Sequence, residues 1–155
     1  MEVELRAAHT GDAEPMTELF ITVRHISMPY LPIIHSREET LRWMEHVVLK
    51  GNAVTVALCS RNLVGFAAAR ENFLEHLYVA AEAQGQGIGS KLLHNAMSSQ
   101  PGPVSLCVFQ ENKHARRFYE RHGFHCSALR DGSQNEEGEP DAIYISRSFQ
   151  ETGSC

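Results

Sequence analysis

Three glycines fall within five residues, at Gly85, Gly87 and Gly89. A strand-like run, 73–79, precedes them, and an amphipathic helical pattern begins directly after them. A loop between a strand and a helix presents several backbone N–H groups at the N-terminus of the helix, where the helix dipole also favours negative charge. Such a loop binds anions, and a pyrophosphate fits it. A plain tight turn is the alternative, but the strand and helix around the glycines favour a phosphate site.

Two familiar phosphate-binding motifs do not match this loop. A Walker A loop ends in Gly-Lys-Ser/Thr, whereas Gly89 is followed by Ser90 and Lys91 in the wrong order, which excludes a nucleoside triphosphatase. A dinucleotide-binding loop carries glycine or alanine where this chain has Ser90, and it normally follows the first strand of the domain. Here the loop lies past the midpoint of the chain. A dinucleotide-binding oxidoreductase therefore stays only as a weaker alternative.

The apolar residues of the chain recur with two periods. Alternating and short apolar runs predict seven strands, and spacings of three and four residues predict four helices. The order is strand, two helices, three strands, helix, strand, helix, two strands. The predicted strands span 3–8, 53–59, 63–70, 73–79, 104–109, 124–129 and 142–146, and the faces of the helices begin at Met16, Leu41, Gly89 and Ala115. The strand 73–79, the third helix and the strand 104–109 form a βαβ unit, so these two strands are expected to be parallel.

Local signals mark the ends of these helices. Ser36 and Glu39 have the spacing of a capping box at the start of the second helix. Gly51 and Gly123 are placed to end the second and fourth helices. No linker is long enough to divide the chain, so we expect a single α/β domain over 1–150, followed by a frayed tail, 151–155.

The sequence resembles the GNAT superfamily of N-acetyltransferases at two motifs. Leu77-Tyr78-Val79 followed by 84–90, Gln-Gly-Gln-Gly-Ile-Gly-Ser, is similar to the Gln/Arg-x-x-Gly-x-Gly/Ala acyl-CoA signature of that family. Residues 112–124, from Asn112 to Phe124, resemble its Asn-x-x-Ala-x-x-Phe-Tyr-x-x-x-Gly-Phe segment. Two motifs in the expected order are more specific than either alone. The order of elements also agrees from about residue 3 to 148.

The resemblance implies a fold and a cofactor. The fold is α/β, with a GNAT-like mixed, mostly antiparallel sheet, one central parallel pair of strands that splay apart, and about four flanking helices. The cofactor is acetyl-CoA, used as co-substrate, with no metal. The predicted cofactor-binding residues are Leu77, Tyr78, Val79, Gln84, Gly85, Gln86, Gly87, Ile88, Gly89, Ser90, Asn112, Ala115 and Phe118.

Each part of this set has an implied role. Backbone N–H groups of the loop 84–90 bind the pyrophosphate, with the hydroxyl of Ser90 as an additional donor. Main-chain groups of Leu77 and Val79 pair with the pantetheine arm. Asn112 hydrogen-bonds the pantetheine at the point where the strands splay, although an N-cap for the fourth helix explains the same residue equally well.

Aminolysis of a thioester requires a neutral amine and a proton for the leaving thiolate. Forming the free base at pH 7 costs about 4.6 kcal/mol for a lysine-like amine and about 1.4 kcal/mol for an α-amine. The resemblance assigns the proton for the thiolate to the phenol of Tyr119, with core packing as the alternative role of this side chain. Glu75 is the candidate base, because alternation puts it on the face of Leu77 and Val79. A solvated or ion-paired strand carboxylate is the alternative for Glu75, and His76 on the opposite face is a weaker candidate.

The charge balance limits the class of partner. Lys and Arg number 14 against 19 Asp and Glu, which gives a net charge of −5. A surface designed for nucleic acid or for an anionic membrane is therefore not expected. The basic positions of the fourth helix are either contacts for CoA phosphates or a solvated face, and they are Lys113, Arg116, Arg117 and Arg121. Without the pattern of a signal peptide or a long apolar run, the expected location is cytoplasmic.

The four cysteines are too irregularly spaced for a Cys-x-x-Cys site. We expect Cys59, Cys107 and Cys126 to be packed thiols and Cys155 to lie on the tail. His122 and His125 beside Cys126 lack a second pair of ligands, so a metal site is not expected there.

These observations predict an acyl-CoA-dependent acetyltransferase that moves an acetyl group to a primary amine of a small molecule or peptide by direct attack in a ternary complex. The acceptor is expected among the first two helices, the loop 28–36 and the loop 131–141. The acidic residues of the last loop either attract a cationic amine or are simply solvated. A non-catalytic acyl-CoA sensor is the alternative from another class. The acceptor and the oligomeric state stay open, a homodimer included.

Overall fold

Seven strands form a single sheet in the order β1-β2-β3-β4-β5-β7-β6. The structure is a computed structural model that describes residues 2–147. The strands are β1 (Glu4–Ala7), β2 (Ala53–Cys59), β3 (Asn62–Arg70), β4 (Phe73–Val79), β5 (Ser105–Phe109), β6 (Phe124–Arg130) and β7 (Asp141–Ser146). Each predicted strand is present to within a few residues.

Four helical regions flank the sheet. They are α1 (Ala13–Ser27), α2 (Arg37–Trp43), which continues through a π-helical turn (Met44–Val48) into a last turn (Leu49–Gly51), α3 (Ile88–Ser98) and α4 (Lys113–Arg121). Short 3₁₀ turns occur at Thr10–Asp12 and Ala81–Ala83. The predicted capping box is confirmed, because the Ser36 hydroxyl accepts from the Glu39 N–H at 3.1 Å and the Glu39 carboxylate accepts from the Ser36 N–H at 2.9 Å.

The β4–β5 pair is the one parallel pair between neighbouring strands of the described sheet, as the βαβ unit predicts. Only Phe73 with Ser105 and Leu74 with Leu106 are paired across it. Both strands continue beyond these residues without pairing with each other, so they separate towards their carboxyl ends. The predicted splayed pair is confirmed.

A β-bulge interrupts β4 at Glu75. On the β3 side, Ala68 pairs with His76 and Ala69 pairs with Leu74, which leaves Glu75 without a partner. An extra residue in one strand bends it and breaks the alternation of its side chains. The prediction that simple alternation puts Glu75 on the face of Leu77 and Val79 is therefore wrong.

The two faces of the sheet pack against different helices. On one face, the ring centroid of Tyr78 lies 5.0 Å from that of Phe20 in α1 and 5.6 Å from that of Phe66. On the other face, a Cβ on Gly65 would lie 2.9 Å from Leu92 in α3, so this helix packs directly on β3. Helices α1 and α2 therefore lie on one face of the sheet, and α3 lies on the other.

Two of the cysteines are not packed. Cys59 is half-buried, but Cys107 and Cys126 are exposed. Cys107 alternates with the buried Leu106 and Val108 and therefore faces the less covered side of β5. Cys155 and the predicted tail lie outside the described residues. Within residues 2–147, no helix is both long enough and apolar enough to cross a membrane.

Candidate active site

The glycine loop lies at the carboxyl end of β4, beside the opening between β4 and β5. Gly85 and Gly87 have φ of +80° and +81°, and Gly87 is the N-cap of α3. Only glycine adopts this left-handed conformation without strain. No side chain caps the helix, and residues 84–87 are exposed. The predicted anion cradle would use the uncapped N–H groups at this end of α3.

The two sequence motifs meet in space at the start of α3. A Cβ on Gly89 would lie 3.4 Å from the ring of Phe118, so α4 packs directly over the glycine loop. Ser90 Oγ lies 2.8 Å from His122 Nε2, and His122 Nδ1 lies 2.8 Å from the Phe118 carbonyl. Because that carbonyl only accepts, the imidazole donates from Nδ1 and accepts the hydroxyl of Ser90. A contact between this hydroxyl and a phosphate requires Ser90 to leave His122.

Asn112 is the N-cap of α4. Its side-chain oxygen accepts from the Ala115 N–H at 3.3 Å, so the capping alternative is confirmed. Its amide nitrogen lies 3.6 Å from the sulfur of Met28. This contact brings the start of α4 next to the loop that follows α1.

Tyr119 is buried on the inner side of α4. Its ring lies 5.3 Å from that of Phe118 and 5.6 Å from that of Phe124. Burial, together with the nearby phenol of Tyr78, raises the pKa of Tyr119 above its usual range. The phenol therefore carries its proton at neutral pH and is able to donate it.

Glu75 does not line the cavity that opens between α1 and α2. Its side chain is one third exposed, and Oε1 lies 3.4 Å from Nε of Arg70. This is the ion-paired strand carboxylate considered as the alternative. In α4, Arg116 is also already bound, because it donates to the Tyr144 hydroxyl at 2.9 Å and to the Gln110 carbonyl at 3.3 Å.

A cavity of about 950 Å³ opens between α1, α2, the loop 28–36 and the loop between β6 and β7. Its walls are mostly apolar. The lining residues from the sheet and the helices include Phe20, Arg24, Trp43 and His76. The region agrees with the acceptor site expected from the sequence, but the sequence did not single out Arg24 or Trp43.

An aromatic cluster forms the wall of this cavity at β4. The ring centroid of His76 lies 5.1 Å from Trp43 and 6.1 Å from Phe20, and Phe20 lies 5.3 Å from Trp43. Burial and the positive charge of Arg24 lower the pKa of His76 to about 4. The imidazole is therefore neutral at physiological pH.

Arg24 connects this cluster to the β6–β7 loop. Its guanidinium donates to Glu137 at 2.9 Å and lies 5.0 Å from the centre of the Phe20 ring. It also lies beside the phenol of Tyr78. Burial raises the pKa of this phenol, and the positive charge of Arg24 lowers it in part. Tyr78 in turn is close to Tyr119. Arg24 and Tyr78 therefore link the cavity to the predicted acid.

The fold and the site define a class of protein: a mixed α/β domain with a splayed parallel pair and a glycine cradle at its edge. Residues 50–126 match the family model described as acetyltransferase (GNAT) domain. A stretch of 53 residues is 42% identical to a probable N-acetyltransferase of Mycobacterium tuberculosis, covering 34% of this chain. That stretch spans only 30% of the length of the curated relative.

Solved structures agree over almost the whole chain. The apo form of YjaB from Escherichia coli has a TM-score of 0.76 at 20% identity, over 94% of this chain and 97% of that one. The PaiA N-acetyltransferase from Thermoplasma acidophilum, solved with coenzyme A, has a TM-score of 0.71 at 21% identity, over 95% and 99%. At these identities the likeness establishes the fold. Together with the family match, it shows that the chain carries a GNAT acetyltransferase domain.

Proposed function

We propose that the protein transfers an acetyl group from acetyl-CoA to a primary amine of a small molecule or peptide, by direct attack in a ternary complex. The observation that carries this proposal is the arrangement around β4. The strand separates from β5 after Leu74, ends at the glycine cradle and presents His76 to the cavity on one face. One strand therefore has a phosphate site at its end and an acceptor-sized cavity beside it.

Acetyl-CoA binds, in this proposal, along the opening between β4 and β5. The N–H groups of 85–90 hold the pyrophosphate, and main-chain groups of 77–79 face the pantetheine arm. The Val79 carbonyl accepts from the side chain of Gln84 at 3.0 Å. That bond is exchanged when the arm is bound. PaiA, which has the same fold, is solved with coenzyme A, and this supports the choice of cofactor.

The chemical step needs an acid that protonates the leaving thiolate and a path by which the amine loses its excess proton. The amine nitrogen bonds to the acetyl carbon, the carbon–sulfur bond breaks, and the electron pair leaves on sulfur. Tyr119 protonates the thiolate, the excess proton of the amine passes to water, and water returns a proton to the phenolate of Tyr119. Glu75, the base predicted from the sequence, pairs with Arg70 and does not line the cavity, so in this proposal water and not this carboxylate takes up the proton.

A sensor that binds acyl-CoA without turnover is the second candidate. The observation in its favour is that the carboxylates lining the cavity are all engaged by other groups of the described chain. Each of them would have to share or give up that contact to accept a proton from a bound amine. The two candidates share the cofactor site and differ only in turnover.

Release of free thiol from acetyl-CoA with a panel of primary amines separates the candidates. We expect thiol release that depends on both the protein and an amine, and a doubly reciprocal plot that intersects, as a ternary complex requires. Calorimetric binding of acetyl-CoA without turnover on any amine would favour the sensor. Binding of NAD(P) in place of acetyl-CoA would favour the oxidoreductase.

The location and assembly of the protein also belong to this proposal. We expect a cytoplasmic protein with one domain over 1–150, and the oligomeric state stays open, a homodimer included. Cell fractionation checks the location, and light scattering of the purified chain checks the assembly.

A further inference from the structure

The cavity beside β4 collects charged and titratable groups from every element that surrounds it. Those that line it are Arg24 and His25 of α1, His35 of the loop 28–36, Arg37 and Glu39 of α2, His76 of β4, and Glu136 and Glu137 of the β6–β7 loop. These groups decide in which charge state an amine enters.

Each carboxylate of this set already has a partner. Glu137, whose side chain is 10% exposed, accepts from Arg24 at 2.9 Å. Both oxygens of Glu136 lie 3.0 Å from Nε2 of His35, and Glu39 accepts from the Ser36 N–H. Among the described residues that line the cavity, every carboxylate therefore already accepts a contact from another group of this chain.

The charge beside the aromatic wall of the cavity is that of Arg24. Arg24 lies between the aromatic cluster and Tyr78, where it faces the wall that an acceptor must approach. A charged ammonium placed here loses its hydration and gains a like charge as neighbour, and both effects favour its neutral form. His76 experiences the same two effects, since burial and Arg24 together lower its pKa.

We propose that the acceptor is a weakly basic primary amine on an apolar group of aromatic size, that it binds as the free base, and that Arg24 determines this preference. The inference rests on the proposed acetyl transfer. The apolar walls and the rings of Phe20, Trp43 and His76 receive the body of the acceptor. Its nitrogen lone pair attacks the acetyl carbon without a prior proton transfer to the protein.

Two amines with one aromatic body measure the preference. Phenylalaninamide carries an α-amine and phenethylamine carries a lysine-like alkylamine, with pKa values of about 8 and about 10.4. At pH 7 the free-base fraction of the first exceeds that of the second about 200-fold. We expect kcat/KM to favour phenylalaninamide by about this factor at pH 7, and the ratio to fall roughly tenfold by pH 9.

Substitutions at Arg24 test its role. Arg24→Met removes the cation and frees the carboxylate of Glu137, so the ratio at pH 7 is expected to fall at least tenfold. Arg24→Lys keeps the charge and is expected to keep the ratio. Thermal unfolding and calorimetric acetyl-CoA binding verify that each variant is folded. If Arg24→Met does not fold, Glu137→Gln replaces it, and this variant is expected to retain the preference.

Equal kcat/KM for the two amines at pH 7, or a ratio that does not change with pH, would overturn the inference while leaving acetyl transfer intact. An unchanged ratio in Arg24→Met, or a lost preference in Glu137→Gln, overturns the role of Arg24. Acetyl-CoA binding without thiol release for any primary amine overturns the proposed function itself, and the inference with it.

Discussion

Tyr119 illustrates how burial selects the role of a single side chain. The phenol is enclosed by Phe118 and Phe124, and its pKa lies above the usual range because the phenolate would be poorly solvated. Because the phenol holds its proton firmly, its transfer to the leaving thiolate requires a short hydrogen bond between the phenol and the sulfur. The same burial would make Tyr119 a poor general base.

Replacing Tyr119 by Phe removes the proton without changing the ring. We expect Tyr119→Phe to lower kcat about 100-fold while the affinity for acetyl-CoA stays within a factor of about two. Steady-state kinetics and calorimetry give the two values.

Tyr144→Phe is the matched control. Its hydroxyl donates to Glu120 at 2.7 Å and accepts from Arg116, outside the lining of the cavity. Its loss should lower stability but not kcat per folded molecule. A Tyr119→Phe enzyme with an unchanged kcat would remove this residue from the mechanism.

At the scale of elements, the start of α3 depends on backbone conformation more than on side chains. Gly87 is both the N-cap and a left-handed residue, and a Cβ there meets no atom within 4 Å. Substitution is therefore strained by φ alone. The strain acts on the N–H groups that form the anion cradle in our proposal.

We expect Gly87→Ala to lower the free energy of unfolding by about 1 kcal/mol and the melting temperature by about 2–4 °C. It should also weaken acetyl-CoA binding, because the strained residue shifts the N–H groups of the loop. Gly51→Ala is the control, since Gly51 ends a helix in open space and without positive φ. Equal effects of the two substitutions would argue against the cradle.

The β6–β7 hairpin has an acid-sensitive ion pair. Arg130 donates to both oxygens of the buried Asp141 at 2.7 Å, and Asn135 donates to the same carboxylate at 3.2 Å. The Arg130 hydrogen bonds hold the pKa of Asp141 below its ordinary value. A lowered pKa means that the stabilisation is complete above the ordinary value and is lost as the pH falls below about 4.

Asp141→Asn should therefore cost about 2 kcal/mol of unfolding free energy at pH 7, and the difference from the natural chain should shrink as the pH falls from about 4. Urea unfolding at a series of pH values measures it. Glu82→Gln, at an exposed carboxylate, should leave the curve unchanged. A difference that grows in acid would contradict this assignment.

At the scale of the whole molecule, cofactor binding is coupled to folding. A ligand present at 100 times its Kd stabilises the native state by about 2.7 kcal/mol. For a chain of 155 residues this corresponds to a rise in melting temperature of about 5–10 °C. We expect this rise with CoA and acetyl-CoA and none with NAD(P). A scan in which only NAD(P) stabilises the chain would reverse the choice of cofactor.

Much of the fold could be predicted from local patterns. The alternating runs, the 3.6-residue faces and the βαβ unit gave the order of the elements and the parallel pair. The glycine loop and the cap at Asn112 were also predicted, because the chemistry of each lies within a few residues. The bulge at Glu75 could not be, since it exists only in the register of β4 with β3. A rule of strict alternation therefore misplaced this side chain.

The acceptor cavity shows what only the tertiary structure decides. Arg24 and Glu137 are 113 positions apart, and His35 and Glu136 are 101 apart, yet both pairs meet at the cavity. The sequence predicts that the acidic β6–β7 loop attracts a cation, but in the fold its two carboxylates at the cavity already contact Arg24 and His35. The sequence by itself determined the family and predicted the cradle and the acid, because these depend on short motifs. The charge presented to the acceptor depends on which distant groups pair, and pairing is a property of the folded chain.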